Sequence, residues 1–285
     1  MGINIEQLQK TKPIKELLRF GIINIDKPSG PTSFAVSQYV SRSLKLTKTS
    51  HLGTLDPQVT GVLPVSLDRA CRLSGFLMHR DKTYVGIMQL HDEVSDSRLN
   101  EVITKFLGTI TQLPPVRSRV KRAEREREIK TFEILEREGK NVLFKTRVQA
   151  GTYIRKLIHD MGEQLGGAHM LELRRTEAGL FVEPCYNLYD FDKAVSVYKS
   201  GDDSLLRKMI VPGEIVSELY PVLELKKESV VRVLRGSPIF KRDILGKSDL
   251  ERDEHAAVFT GEKFIGMYRA VNEGDVVLVP EFVFN

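Results

Sequence analysis

The spacing of apolar positions divides the chain into recognisable pieces. Residues 21–26 (GIINID) are apolar and β-branched and run into Lys27-Pro28-Ser29-Gly30, which predicts a strand ending in a turn. Val36, Val40 and Leu44 then share one helical face, with Thr32 or Ser33 as the cap. Residues 53–61 (GTLDPQVTG) have loop composition and lead into the apolar run 62–67, and residues 84–90 read as a buried strand. Leu99, Val102, Ile103, Phe106 and Leu107 form a helical stripe behind Asp96 or Ser97 as cap. Strands are expected over 129–138 and 142–150, the second alternating Val142, Phe144, Thr146 and Val148 so that one face is buried. The clearest helix covers 153–165, with Ile154, Leu157, Ile158, Met161 and Leu165 on its seam and Thr152 as cap. A strand near 170–175 and short helices over 191–210 close this region.

Strands and helices mix without a repeating βαβ period, so the class is α+β rather than doubly wound. From about Tyr220 the pattern changes to short apolar runs (222–225, 257–260, 264–268, 276–280) separated by turns at Gly236, Gly261 and Gly274. That is the pattern of a small β-barrel module of about 65 residues, a size at which a domain folds on its own. The boundary falls near Ser217.

Composition then removes function classes. No window approaches the roughly 18 uninterrupted apolar residues of a membrane span, and the polar first dozen residues do not read as a secretory leader. Cys71 and Cys185 make no disulfide framework and no C-x-x-C pair, which suits a reducing compartment. Gly30-Pro31-Thr32-Ser33 lacks the lysine and the earlier glycine of a phosphate loop. The six histidines have no metal-ligand spacing, and G-x-S-x-G is absent. Lys plus Arg exceed Asp plus Glu by 43 to 38. Most of that +5 sits between Arg117 and Lys130, where seven basic residues face three acids. Such a segment suits a polyanion, since each phosphate contact releases counterions; it is also the pattern of a solvated, salt-bridged hairpin.

Carboxylates remain as candidate chemistry. Asp56 stands in Leu52-Gly53-Thr54-Leu55-Asp56-Pro57, where Gly53 and Gly61 let backbone approach a ligand and Pro57 stiffens the presentation. By itself Asp56-Pro57 is equally an ordinary turn. Arg155, in the first turn of the predicted 153–165 helix, is a cation at the end where the helix dipole disfavours one. A carboxylate beside it would be held ionised. Tyr84, on pattern alone, is a strand tyrosine with its ring in the core.

The stretches GIINIDKPSGPTS, HLGTLDPQVTGVLPV, KTYVGIMQLHDEVSD, QLPPVRSRVKR, VLFKTRVQAGTYIRKLIHDMG and GAHMLELRRTEAG occur in the order found in TruB/dyskerin-type pseudouridine synthases. Within that family the chain most resembles the archaeal RNA-guided branch that works in box H/ACA ribonucleoproteins. The resemblance covers about residues 20–181 strongly, and the C-terminal region is more loosely similar to the PUA domain that follows in this family.

The resemblance implies a curved mixed sheet with helices over residues 1–217, with 1–19 as an extension suited to pack on the barrel, and a PUA-like RNA-binding barrel over 218–285. It implies conversion of uridine to pseudouridine with no metal and no organic cofactor. Asp56 falls on the nucleophile, Tyr84 on the residue that stacks on the target base, and Arg155 on the salt-bridge partner of the aspartate. His51, Thr54, Tyr153 and Lys27 fall around the substrate, Lys27 as a support of the loop. Arg117, Arg119, Lys121 and Arg122 fall on the thumb loop that closes on RNA. Ser50 and Leu52 depart from the glycine and small residue usual beside the histidine. The implied partners are an H/ACA guide RNA, substrate ribosomal RNA with tRNA as the alternative, and three small proteins of Gly/Arg-rich, zinc-ribbon-like and kink-turn-binding ribosomal type. The implied location is an archaeal cytoplasm, or a nucleolus if the source is eukaryotic. The rival readings are a stand-alone enzyme for the tRNA T-loop and a non-catalytic RNA-binding scaffold.

Overall fold

A computed structural model describes residues 2–114, 122–246 and 248–285. The chain forms two compact units that interleave in sequence. One comprises residues 1–22, 67–73 and 210–285; the other comprises 23–66 and 74–209.

The first unit opens with α1 (Ile5–Thr11) and α2 (Ile14–Arg19). The second is built on a mixed sheet. Its elements in chain order are β1 (Gly21–Lys27), α3 (Ser33–Leu44), β2 (Thr49–His51), β3 (Thr60–Leu67), α4 (Ser74–Leu77), β4 (Lys82–Leu90), α5 (Asp96–Phe106), β5 (Gly108–Gln112), β6 (Arg125–Glu138), β7 (Asn141–Val148), α6 (Ile154–Glu163), β8 (Ala168–Ala178), β9 (Phe181–Val182), α7 (Leu188–Lys199) and α8 (Ser204–Met209). Strands run in the order β1-β3-β8-β4-β7-β6-β5, with β2 on β3 and β9 on β8. The β3–β8 pair is parallel, whereas β8–β4, β4–β7, β7–β6 and β6–β5 are antiparallel.

The predicted faces are the buried ones. Val142, Phe144, Thr146 and Val148 of β7 are all within 1% of full burial. Ile154, Leu157, Ile158 and Met161 of α6 and Val36, Val40 and Leu44 of α3 are buried too. Phe132 stacks on Phe144 across the β6–β7 pair, ring centroids 4.7 Å apart.

Several boundaries differ. The stripe of α5 ends at Phe106; Leu107 turns to extended backbone before Gly108 (φ 83°) and is 40% exposed. The cap of α5 is Ser95, whose hydroxyl accepts from Arg98 N at 3.2 Å, rather than Asp96 or Ser97. Thr152 does not cap α6. Its hydroxyl donates to Gln149 O at 2.7 Å, and the N-cap position belongs to Tyr153 without a side-chain bond.

The remainder of the first unit contains β10 (Ile210–Pro212), β11 (Val222–Leu225), the single turn α9 (Val230–Val233), β12 (Ile239–Phe240), β13 (Ile244–Leu245), β14 (His255–Thr260), β15 (Lys263–Glu273) and β16 (Val276–Val283). Six of these strands form a nearly closed, barrel-like sheet in the order β12-β16-β15-β14-β11-β13 around Leu223, Val258, Ile265, Tyr268 and Leu278. The N-terminal helices belong to this unit. Lys12 pairs with the buried Glu214, Gln9 Nε2 donates to Ile210 O at 2.9 Å, and Phe20 lies 4.3 Å from Phe284 and 5.1 Å from Phe264 between ring centroids.

Candidate active site

The segment between β2 and β3 carries Asp56, and three buried side chains from three elements hold its backbone. Lys27, at the end of β1, is fully buried, and its ammonium donates to the carbonyls of Pro28 (2.8 Å), Pro57 (2.9 Å) and Val59 (2.8 Å). An ammonium has three protons, so these bonds use them all and Lys27 acts as a support beneath the loop. Ser33, the first residue of α3, donates to Leu55 O at 3.0 Å and accepts from Leu55 N at 2.8 Å. Arg175 of β8, 1% exposed, donates Nε to Val62 O at 2.8 Å and Nη2 to Gly53 O at 3.0 Å. The loop is thus gripped before, beside and after the aspartate.

Two glycines make that grip sterically feasible. Gly61 has φ 98°, and a Cβ there would meet Arg175 O at 2.2 Å. Gly53 has φ 122°, with Arg175 Nη1 3.4 Å and Lys82 Cε 3.7 Å from the position of a Cβ.

The surroundings are cationic. Burial pulls the Lys27 ammonium down from its ordinary value, against the pull of the Asp56 carboxylate and with the repulsion of Arg175. Lys82, 5% exposed, is brought down to about 8 by burial and by Arg175, with Asp81 opposing. His51, the last residue of β2, is likewise lowered, by burial first and by Arg175 second. Its Nδ1 is buried and has no hydrogen-bond partner, so the neutral ring presents an unused polar atom. The departures beside it have structural roles: Leu52 is buried with its N–H on Pro64 O at 2.9 Å, and Ser50 O accepts from Ser66 Oγ at 3.0 Å.

Arg155 is the second residue of α6. Its Nη1 lies 3.3 Å from Asp56 Oδ2, with the side chains 59% and 54% exposed. No acidic residue occupies the first turn of α6, so a carboxylate delivered by a distant loop supplies the charge the helix itself lacks. The start of α6 is held from outside. Gln112, 2% exposed at the end of β5, accepts from Tyr153 N at 3.0 Å and donates to Tyr153 O at 3.2 Å.

The structure therefore brings Arg155 to Asp56 and Lys27 beneath the Asp56 loop, while His51 ends β2 at the start of that loop beside the field of Arg175. Tyr84 sits on the central strand β4, 8% exposed, opposite Thr146 on one side and Arg175 on the other. Thr54 is exposed and Tyr153 half-buried. Arg122 is exposed, whereas Arg117, Arg119 and Lys121 lie outside the described residues. Sequence reading missed Ser33, Arg175 and Gln112 as supports. Each acts on backbone 22 to 122 residues away, so no local pattern betrays it.

The arrangement is a half-exposed carboxylate on a loop held by three buried side chains, with a guanidinium 3.3 Å away. The fold is that of an enzyme that isomerises a nucleoside within RNA, and the chain belongs to the TruB family of pseudouridine synthases. The TruB family pseudouridylate synthase N-terminal domain matches residues 41–97, the tRNA pseudouridylate synthase B C-terminal domain matches 155–217, and the DKCLD domain matches 10–37.

The chain is 42% identical over 253 residues to the probable tRNA pseudouridine synthase B of Archaeoglobus fulgidus, covering 87% of this chain and 78% of that protein. It is 45% identical over 230 residues to the Pyrococcus horikoshii protein of the same name, covering 79% and 69%. Among solved structures it is similar to a chain of a Cbf5–Nop10–Gar1 complex, with TM-score 0.88 and 38% identity over 97% of this chain and 88% of the other. A chain of an H/ACA ribonucleoprotein bound to a substrate RNA containing 2′-deoxyuridine matches with TM-score 0.86 and 36% identity, covering 97% and 89%. The α+β fold and the barrel-like second sheet expected from the sequence are those of this family.

Proposed function

We propose that this chain is the catalytic subunit of a box H/ACA ribonucleoprotein and isomerises guide-selected uridines, chiefly in ribosomal RNA. The observation that carries the reading is the ion pair between Asp56 and Arg155 on a loop whose backbone Lys27, Ser33 and Arg175 hold rigid. The likeness to chains from H/ACA complexes over 97% of this chain supports the guided mode. The partners are then a guide RNA and small H/ACA proteins, Nop10 and Gar1 in the matched complex. In this reading residues 1–217 form the catalytic domain and 218–285 the PUA-like RNA-binding domain. Among the described residues no helix is long and apolar enough to cross a membrane, and the setting proposed is an archaeal cytoplasm.

The chemistry follows from the groups present. A stacked base is out of reach, so the target nucleotide is extruded into the site. Tyr84 offers the ring against which the base packs, and His51, Thr54 and Tyr153 line the nucleotide. Of the two carbons open to the Asp56 carboxylate, C1′ of the ribose and C6 of the base, attack at C1′ is the route taken in this reading, and the N1–C1′ bond breaks as the uracil departs with the electron pair. The uracil rotates while held, and C5 attacks C1′, displacing the carboxylate. Loss of the C5 proton and gain of a proton at N1 complete the isomerisation, with no net change in composition. Arg155 orients the carboxylate and, because it is itself half exposed, can also meet RNA.

A second reading, a stand-alone enzyme for tRNA, is favoured by the names of the curated relatives. One experiment separates them: pseudouridine formation in a short RNA, with and without matching guide RNA and partner proteins, for wild type and Asp56→Asn. Guide-dependent product from wild type and none from Asp56→Asn is the expected result. Product on bare tRNA alone moves the protein to the stand-alone reading. Product from Asp56→Asn removes the aspartate from the mechanism, and RNA binding without product under any condition leaves a scaffold.

A further inference from the structure

The helix that carries Arg155 starts without a cap of its own. The first N–H groups of any α-helix have no partner within the helix, and in α6 the N-cap position makes no side-chain bond to them, while the Thr152 hydroxyl is turned back onto Gln149 O. Helix ends of that kind fray. Fraying here would carry Arg155, the second residue of α6, away from Asp56, and an exposed ion pair is too weak to hold the turn in place by itself.

A buried amide ties the turn down. Gln112 accepts from Tyr153 N at 3.0 Å and donates to Tyr153 O at 3.2 Å. Tyr153 O also accepts from Leu157 N at 2.9 Å, the bond that closes the first turn of the helix. The same carbonyl thus receives the bond that shapes the turn and the bond that fastens it to β5, with Arg155 inside the closed turn. A primary amide offers a donor and an acceptor side by side, the pair that one residue presents to its partner in an antiparallel ladder. The Gln112 side chain therefore takes the place of a strand neighbour for Tyr153.

The chain just before the helix is fixed to the neighbouring strand. Gln149 N donates to Glu128 O at 2.9 Å, and Glu128 N donates to Gln149 Oε1 at 3.2 Å. Gly151 (φ 84°) lies against the Arg127 guanidinium, where a Cβ would stand 3.2 Å from Nη2 and 3.3 Å from Nε. Gln112 itself sits opposite Arg125 in the β5–β6 ladder. The start of α6 is thus referred to the β5–β6 pair at two points, and of these holds the Gln112 amide is the one that reaches the helix.

We propose that Gln112 is a positioning residue for the isomerisation: its amide holds the first turn of α6 so that the Arg155 guanidinium meets the Asp56 carboxylate. The proposal rests on the reading of Asp56 and Arg155 as the reactive pair. Gln112 touches no reacting atom. It is 2% exposed, whereas both members of the pair are more than half exposed, so the aim of an exposed contact is set by two bonds made in the interior.

The test uses the full chain, with whichever RNA and partners the wild type needs to form product. Gln112→Met keeps a side chain of similar length and makes neither bond. Its single-turnover rate should fall about tenfold to a hundredfold, the cost of misplacing a reactive group by about 1 Å, with RNA affinity within about twofold of wild type. In Gln112→Glu the ionised carboxyl accepts from Tyr153 N and repels Tyr153 O, whereas the protonated one also donates and restores the pattern of the amide. The rate of Gln112→Glu relative to wild type should therefore rise as pH is lowered from about 8 to about 6, the range into which burial pushes a carboxyl. In an Arg155→Lys background Gln112→Met should do much less harm, because residues that act through one contact do not add. In the protein alone, amide exchange at Leu157 should quicken about tenfold in Gln112→Met, the equivalent of one hydrogen bond, and stay unchanged at Met161 one turn on.

A wild-type rate in folded Gln112→Met overturns the proposal. So does an equal loss in the Arg155→Lys background, a loss matched by weaker RNA binding, or a Gln112→Glu ratio that stays flat with pH. If Gln112→Met does not fold, the Gln112→Glu series carries the test. If wild type forms no pseudouridine the isomerase reading falls by itself, and exchange decides the hold on α6: quickening confined to the first turn upholds it, and unchanged exchange at Leu157 overturns it.

Discussion

Arg155 places Nη1 3.3 Å from Oδ2 of Asp56 across 99 residues of sequence, and both side chains are more than half exposed. An exposed ion pair contributes only about 0–1 kcal/mol to stability, so the pair is not what holds the fold together. Its use is directional: it aims a carboxylate carried by a loop, from the start of a helix whose own end is fixed by Gln112.

It follows that Arg155→Ala should abolish pseudouridine formation while leaving guide-RNA affinity within a few-fold of wild type and the melting temperature nearly unchanged. Arg155→Lys should recover part of the rate, because a point charge replaces a planar fork. Quantified product, filter binding and a thermal melt on the same preparations check this. Parallel losses of binding and of folding in Arg155→Ala would make the arginine structural.

Lys27 behaves in the opposite way. Its ammonium is fully buried, and its three protons go to backbone carbonyls rather than to a carboxylate. Lys27→Met removes the donor and strands those carbonyls, each worth about 1–3 kcal/mol when left unpaired in a buried setting. Unfolding in denaturant should show a loss of several kcal/mol, and activity should fall at temperatures where the variant is still folded, because the Asp56 loop loses its floor. A variant as stable as wild type would show that water replaces the ammonium at no cost.

The contrast between these two residues shows what the chain discloses on inspection. Period-2 alternation in β7 and the seam of α6 are legible because the burial of each side chain is decided by its own strand or helix. Asp56 and Arg155 are legible as candidates from a glycine-flanked loop and from a cation misplaced on a helix dipole. Ser33, Arg175 and Gln112 are not. Each is a polar side chain buried only because the tertiary fold brings distant backbone to it, and nothing within ten residues of any of them requires that. Leu107 misleads for a related reason: its spacing continues the α5 stripe, but the left-handed Gly108 ends the helix first. Thr152 misleads because the hold that Gln112 supplies from another strand makes a local cap unnecessary.

His51 and Lys82 give pH dependences of definite sign. The His51 pKa is lowered in the folded state, so the unfolded chain takes up a proton first as pH falls below the ordinary value of 6.5. The stability that His51 contributes is therefore complete above 6.5 and is lost as pH drops toward the folded value. His51→Gln should flatten the fall in melting temperature between pH 6.5 and 5. Lys82 is lowered from 10.5 to about 8. Between those values the unfolded chain binds more protons than the folded one, so stability rises with pH. Relative to Lys82→Met, wild type should gain up to roughly 3 kcal/mol from pH 8 to 10.5, since a tenfold difference in proton affinity corresponds to about 1.36 kcal/mol. Melting curves over both ranges decide it, and slopes of opposite sign would refute the assignment.

The basic stretch before β6 supplies the last expectation, and it rests on sequence alone for three of its four members. Arg117, Arg119, Lys121 and Arg122 carry four positive charges, followed at once by Glu124, Glu126 and Glu128. If the segment closes on RNA, neutralising all four to Gln should weaken RNA binding and reduce the salt slope, by about 0.7–0.9 for each phosphate that the segment ceases to neutralise. The glutamates that follow repel the same phosphates, so the loss should be smaller than four independent cations would give. Replacing Glu124, Glu126 and Glu128 by Gln should then tighten binding at low salt and leave it unchanged at high salt, where exposed charges are screened. A salt slope that the four-residue variant does not alter would place the phosphate-binding residues elsewhere on the protein.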